Sequence, residues 1–215
     1  MRVVVTCGPS FEPIDRVRRL TNFSTGELGL LLSAQLVRAG HGVVCLKGEG
    51  ATSRVEPSGA ELRAFSTNDD LLEKIQGLPG RREVGAVFHA AALCDYRAVS
   101  VRDAGGTELR AAKLPTRDGN LILTLEPAAK LLPRLGDLFP NARIIGWKFE
   151  LEGTRDDVLA KARLQIATCR SDACVVNGSA WGAGFGFVEP ERETVACPDK
   201  PALCEFLSGW LAIRR

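Results

Sequence analysis

Metal ligands are scarce in this sequence: it holds two histidines, His41 and His89, and no pair of its seven cysteines shows C-x-x-C spacing. A zinc site therefore has no ligands at useful offsets. Also missing is any apolar run approaching the roughly 20 residues that a membrane span requires, so no transmembrane helix is expected. Charge of one sign is lacking too. The 28 basic residues are dispersed among 26 acidic ones, and a net charge of +2 supplies no basic face for nucleic acid or lipid. Two phosphate-binding signatures are absent. No G-x-x-x-x-G-K-S/T occurs, and Gly8, Gly26 and Gly29 are not spaced as G-x-G-x-x-G directly after a strand; Gly182, Gly184 and Gly186 come too late to replace it. The first absence excludes a P-loop enzyme, and the second argues against an NAD(P)-dependent reductase on a similar fold. Internal repeats and low-complexity tracts are likewise missing.

What is present suits one core. A chain of 215 residues with 45% hydrophobic content is expected to form a single domain over 1–215, since single cores commonly serve roughly 100 to 250 residues. Met1-Arg2-Val3-Val4-Val5 reads as a strand and not as a signal peptide, so free thiols and a cytoplasmic location are expected. Cys7, Cys45, Cys94 and Cys174 sit in apolar strand-like runs, as small buried thiols do.

Residues 3–7 are continuously apolar and end in Gly8-Pro9-Ser10, the pattern of a strand buried on both faces and then broken. Helical spacing follows over 27–39 and stops at Gly40. Further strands are expected at 42–46, 84–92, 121–125, 143–147 and 173–177. Further helices are expected at 71–76, introduced by capping residues at 66–69, and at 128–138, 154–170 and 201–213. Strands alternating with helices imply an α/β fold, a Rossmann-like three-layer sandwich with a mostly parallel central sheet. Two stretches break the alternation: 97–120, a candidate flap, and 178–198, which opens as a Gly-rich loop. Residues 48–59 read as an exposed loop.

Ligands of such sheets bind outside the carboxyl ends of the strands, so the segments after each strand are the places to search. After the first strand, Thr21-Asn22-Phe23-Ser24-Thr25-Gly26-Glu27-Leu28-Gly29 opens a helix. Free N–H groups and small residues there make either a phosphate cradle or an ordinary N-cap through Ser24 or Thr25. After the third strand, Ala90-Ala91-Ala92-Leu93-Cys94-Asp95-Tyr96 offers small residues for a ligand to lie against and a carboxylate. The alternative is that the alanines pack under a helix and Asp95 caps a turn.

Gly8-Pro9-Ser10-x-Glu12-Pro13-Ile14-Asp15-x-Val17-Arg18, then Thr21 through Gly29, then Ala91-Ala92-x-x-Asp95-Tyr96 together resemble the signatures of the phosphopantothenoylcysteine synthetase family. The likeness continues through Lys113-Leu114-Pro115-Thr116, Gly146-Trp147-Lys148-Phe149-Glu150 and Val175-Val176-Asn177. The resemblance implies a dimeric ligase of coenzyme A biosynthesis that joins cysteine to 4'-phosphopantothenate through an acyl-nucleotide, using CTP or ATP with Mg2+. It implies Lys113 as the flap cation, with Arg110 as the alternative, and Asn22 as a substrate contact that helps turn over the intermediate. Ala91, Ala92 and Asp95 are implied as further phosphopantothenate contacts, and Arg18 as a phosphate ligand reaching from a neighbouring subunit. Gly8, Ser24, Gly26, Gly29, Trp147 and Asn177 are implied as nucleotide contacts. Lys130 and Lys148 read either as phosphate ligands or as solvated residues. The sequence departs from the family where a helix lysine is usual, having Leu164-Gln165, with Lys161 or Arg163 as substitutes; Glu27 stands where a basic or neutral residue is common. A nucleotide-binding paralogue without turnover is the alternative that these departures suggest. The flavin-dependent decarboxylase to which many bacterial relatives are fused has no room here, so the expected form is a stand-alone ligase.

Overall fold

The computed structural model describes residues 1–114 and 119–213. Its elements in chain order are β1 (Arg2–Cys7), β2 (Phe11–Pro13), β3 (Arg19–Thr21), α1 (Glu27–Arg38), β4 (Gly42–Gly48), β5 (Glu61–Phe65), α2 (Asn68–Gln76) and β6 (Val84–His89). There follow β7 (Tyr96–Asp103), β8 (Leu121–Pro127), α3 (Leu135–Leu138), β9 (Arg143–Phe149), α4 (Arg155–Cys169), β10 (Ala173–Asn177), β11 (Phe185–Val188), β12 (Val195–Cys197) and α5 (Lys200–Ile213).

Eight strands form one sheet in the order β12-β11-β10-β9-β6-β1-β4-β5. Every pair from β10 through to β5 is parallel, and only the β10–β11 and β11–β12 pairs at one edge are antiparallel. The centre of the sheet follows from β1. Val3 and Val5 face one side with Leu32 and Leu36 of α1 and Leu203, Leu207 and Leu211 of α5. Val4 faces the other with Phe65, Leu71 and Ile75. All three valines are fully buried, and burying each stabilises the fold by about 1.5–3 kcal/mol. Helices α2 and α3 cover that second face, and α4 extends it by packing Val158, Ala162 and Ile166 on Cys174, Val176 and Val188. The expected α/β sandwich with a mostly parallel sheet is thus the observed fold.

Three expectations differ in detail. The apolar run at 121–125 is a strand, but β8 pairs antiparallel with β7 in a separate ribbon and is largely exposed. No helix precedes it to carry the chain across the sheet, so its nearest partner is the strand just before it. The helix expected over 128–138 is reduced to a 3-10 turn at Leu132–Arg134 and the single turn of α3. Pro133 has no N–H to donate and its ring crowds the preceding turn, so a continuous α-helix through it is disfavoured while a proline in a first turn is tolerated. Strand β6 ends at His89, three residues early, although 90–92 continue beside 8–10 through a bridge between Pro9 and Ala92. Of the expected flap, the start belongs to β7, and residues 115–118, with the Pro115-Thr116 end of the lysine motif, lie outside the described residues.

Candidate functional site

From β1 the chain moves outward to β4 and β5, then returns to the other side of β1 for β6, β9 and β10. The strand order therefore reverses between β1 and β6, and a parallel sheet opens its ligand crevice beyond the carboxyl ends of such a pair. There the two chains stay together: Ala90 N donates to Thr6 O, Ala92 N to Gly8 O and Ser10 N to Ala92 O. Ser10, fully buried, also accepts from Cys94 N at 2.8 Å through Oγ.

Asn22 follows the β2–β3 hairpin, and its Nδ2 donates to Ala92 O at 3.3 Å and Leu93 O at 2.9 Å. Its side-chain amide thus ties the start of the α1 segment to the loop after β6. With the Nδ2 donors directed to backbone carbonyls, the group left open is Oδ1. Gly26, at φ 74°, is the N-cap of α1, and Thr25, one residue before it, accepts from Glu27 N at 3.3 Å through its hydroxyl. The small residues have structural causes as well. A Cβ on Gly8 (φ 77°) or Gly26 would lie 2.8 Å or 2.9 Å from Ala51 Cβ, and one on Gly29 would lie 2.2 Å from Cys7 Cβ. These glycines bring the helix start against β1 and leave its first N–H groups at the rim.

Asp95 is exposed and paired with Lys130. Ala91 and Ala92 are half-buried, and Ala91 N lies 3.4 Å from Thr6 Oγ1, which also meets buried His89 Nδ1 at 2.8 Å. Burial holds the His89 imidazole down at about 4. Trp147 packs against the core face shared by α1 and α5, and its Nε1 is buried without a hydrogen-bond partner. Asn177 ends β10, where its carbonyl accepts from Glu150 N.

The lysine-bearing segment is attached to the tip of the β2–β3 hairpin. Arg16 N donates to Ala112 O, Asp15 Oδ2 accepts from Leu114 N at 3.1 Å, and Arg18 Nη2 donates to Leu114 O at 2.9 Å. Burial opposes the Asp15 charge, but the N–H groups of Leu114, Val17 and Arg18 and the Arg18 guanidinium outweigh it and hold the carboxyl below its ordinary range. Lys113 between these anchors is exposed and has no ion-pair partner among the described residues. Arg110 pairs with Glu108. Arg18 is engaged within its own chain but remains a third exposed.

Sequence reasoning gave no role to Asp15, His89 or Glu150. Glu150 closes β9 and pairs with Lys148 at 3.4 Å and Lys161 of α4 at 2.5 Å. The bond from Lys161 is the main cause of its lowered carboxyl pKa, against a smaller opposing effect of burial. Two of the three lysines considered for phosphate, Lys148 and Lys161, thus share one carboxylate, while Lys130 pairs with Asp95. Leu164, at the position where a lysine was sought, is 64% exposed, and Glu27 pairs with Lys200 of α5. A groove of about 530 Å³ lined by Arg81, Arg82, Asp137 and Pro140 lies at the opposite rim of the sheet, away from these loops.

The family model of the DNA/pantothenate metabolism flavoprotein C-terminal domain matches residues 1–201. The chain is 31% identical over 186 residues to the coenzyme A biosynthesis bifunctional protein CoaBC of Bacillus subtilis, covering 86% of this chain and 42% of that protein. The counterpart from Thermococcus kodakarensis is 27% identical over 176 residues, covering 82% and 41%. The chain therefore spans less than half the length of these relatives. Among solved structures, the DNA/pantothenate metabolism flavoprotein from Streptococcus pneumoniae superposes over 100% of both chains with a TM-score of 0.87 at 24% identity. A Cab2 mutant in complex with phosphopantothenate-cysteine has a TM-score of 0.74 at 20% identity, over 99% of this chain and 85% of that one. At these identities the structures establish a shared fold.

Proposed function

Because the chain belongs to the family of DNA/pantothenate metabolism flavoprotein C-terminal domains, we propose that it acts as a phosphopantothenate-cysteine ligase of coenzyme A biosynthesis. The carboxylate of 4'-phosphopantothenate attacks the α-phosphorus of CTP or ATP, pyrophosphate leaves, and an acyl-nucleotide forms. The cysteine amine then attacks the acyl carbon, loses a proton and expels the nucleoside monophosphate, leaving an amide. The observation that carries this reading is that Asn22, the start of α1 and the loop after β6 are hydrogen-bonded together at the rim where β1 and β6 end.

On this reading the α1 start, with Gly8, Ser24, Gly26 and Gly29, receives the nucleotide's phosphates, and Trp147 and Asn177 flank its nucleoside part. Ala91, Ala92 and Asp95 take the pantothenate moiety, while Arg18 reaches the substrate phosphate of a neighbouring subunit. An Arg fork suits that anion. Asn22 contributes Oδ1 as an acceptor for the amine of the incoming cysteine. Lys113 meets the charge that accumulates on the attacked phosphorus, and a fixed cation there stabilises the transition state more than the ground state. The segment at about 97–120, which begins in β7, is its flap on this reading, within a single domain over 1–215. Among the described residues no group of three or more His, Cys, Asp or Glu side chains is arranged for a metal ion. On this reading Mg2+ arrives with the triphosphate, whose charge it neutralises. A homodimer is part of the reading, supported by the exposed Leu121 and Leu125 on one face of the β7–β8 ribbon. A cytoplasmic setting accords with seven free cysteines.

Pyrophosphate release should require phosphopantothenate and a triphosphate together. Lys113→Ala should slow it by more than about tenfold, the scale of a lost transition-state charge contact. An unchanged rate would remove Lys113 from the chemistry. The exposed Leu164 and the pairing of Lys161 with Glu150 favour one second reading, a nucleotide-binding protein without turnover. Calorimetric binding of CTP or ATP with no amide formed, beside a competent relative as control, would select it.

A further inference from the structure

We infer that Asp15 is the positioning residue for Lys113, acting through the peptide groups of Leu114. The inference rests on the ligase reading for the role of Lys113 and goes beyond it in naming what holds that lysine.

Asp15 stands at the tip of the β2–β3 hairpin, where Ile14 N and Asp15 N both donate to Arg18 O. Its Oδ1 accepts from Val17 N and Arg18 N, each at 2.7 Å, which is the Asx arrangement that closes a tight turn. A turn needs only that oxygen. The second oxygen, Oδ2, faces away from the turn and accepts from Leu114 N at 3.1 Å, 99 residues along the chain, with Arg18 Nη1 at 3.4 Å beside it. Arg18 Nη2 then closes on Leu114 O at 2.9 Å. Both backbone polar groups of one residue, Leu114, are thus gripped by two side chains that are themselves ion-paired.

The neighbouring link from Arg16 N to Ala112 O, at 3.0 Å, means that the residues on both sides of Lys113 are fixed to one hairpin tip. The Asp15 side chain is 1% exposed and Leu114 is 2% exposed, so water competes little for these bonds. Lys113 keeps an exposed ammonium on a backbone held at either side. That suits a cation which must meet developing charge at a fixed place, because a misplacement of about 1 Å at such a group can cost about a hundredfold in rate. The same hairpin returns through Thr21, whose Oγ1 donates to Ser10 O at 2.7 Å, into Asn22. One rigid element therefore carries both the anchor of Lys113 and Asn22.

Asp15→Asn separates the two jobs. An amide oxygen can still serve the turn, but the amide nitrogen then confronts Leu114 N–H donor to donor. Asp15→Ser is the second variant: its hydroxyl can close the turn and is too short to reach Leu114. Two measurements on the full chain decide the matter. In hydrogen exchange, either variant should speed exchange of residues 109–114 by about tenfold or more while β1 stays protected. Unchanged exchange at 109–114 in both variants would overturn the inference. In pyrophosphate release, Asp15→Asn should lower kcat about tenfold or more with the nucleotide KM within about twofold. Combined with Lys113→Ala, it should add less than about twofold, because it acts through that lysine. Effects that multiply in the double variant, or a kcat left at the parent value, would likewise overturn it. An inactive parent chain refutes the ligase reading alone, since the exchange comparison still decides whether Asp15 holds the segment.

Discussion

His89 shows how a buried single residue ties stability to acidity at this site. It ends β6 beneath the alanine loop, contacts Thr6 Oγ1 and has its imidazole held down at about 4 by burial. In the unfolded chain it gains a proton near pH 6.5, the ordinary histidine value. The folded state therefore binds fewer protons across this window, and stability falls as the pH drops. The contribution is fully present above about pH 6.5 and is lost as the pH approaches about 4, a total on the order of 3 kcal/mol. Urea unfolding at pH 7 and pH 4.5 should show a steeper loss in the parent chain than in His89→Asn, which keeps a polar partner for Thr6 without the titration. Parallel losses in the two proteins would show that His89 takes no part.

At the scale of elements, α1 depends on how closely it can approach β1. A methyl added in Gly29→Ala would fall 2.2 Å from Cys7 Cβ, so the helix must shift or the strand must bend. The expected destabilisation is about 1–3 kcal/mol by chemical denaturation, the usual cost of overpacking. A denaturation midpoint equal to the parent's would mean that the approach is looser than the geometry indicates. The legibility of the fold follows the same contacts. Strands β1, β4, β6, β9 and β10 are buried on both faces and read as apolar runs, so the sequence announces them. Strand β5 carries Glu61, Arg63 and exposed Leu62 at a sheet edge and gives no such run. Strand β8 gives a run without belonging to the sheet, because apolarity alone does not distinguish a core strand from an exposed ribbon. The cap of α2 was legible in the sequence at 66–69, whereas the start of α4 was read as helical from Thr154, which is in fact its cap. Thr67 accepts from Asp70 N, and Thr154 and Asp157 form a reciprocal box at the start of α4. At α1 a glycine is the N-cap, and Thr25 assists from the position before it by accepting from Glu27 N.

For the molecule as a whole, the candidate site is legible in outline because parallel strands bring every post-strand loop to one rim. Asn22 and the Ala91-Ala92 loop were marked for that reason, and they are hydrogen-bonded there. The Asp15–Leu114 link was not legible, since a polar contact across 99 residues leaves no periodic trace. The ribbon is the other large-scale feature. It leaves Leu121 and Leu125, which share one face of β8, 39% and 40% exposed on a two-stranded ribbon outside the main sheet. Such a surface suits a second copy, and Leu125→Glu should shift sedimentation from dimer toward monomer. A parent chain that sediments as a monomer, or a variant that stays dimeric, would argue against the ribbon as the interface.

The ligase chemistry is tested most directly by following oxygen. Phosphopantothenate labelled with 18O in its carboxylate, incubated with CTP or ATP, Mg2+ and cysteine, should yield the cysteine amide with one labelled oxygen in the nucleoside monophosphate for each amide formed. Amide formation without label in the monophosphate, or no amide at all, would contradict an acyl-nucleotide made at this rim.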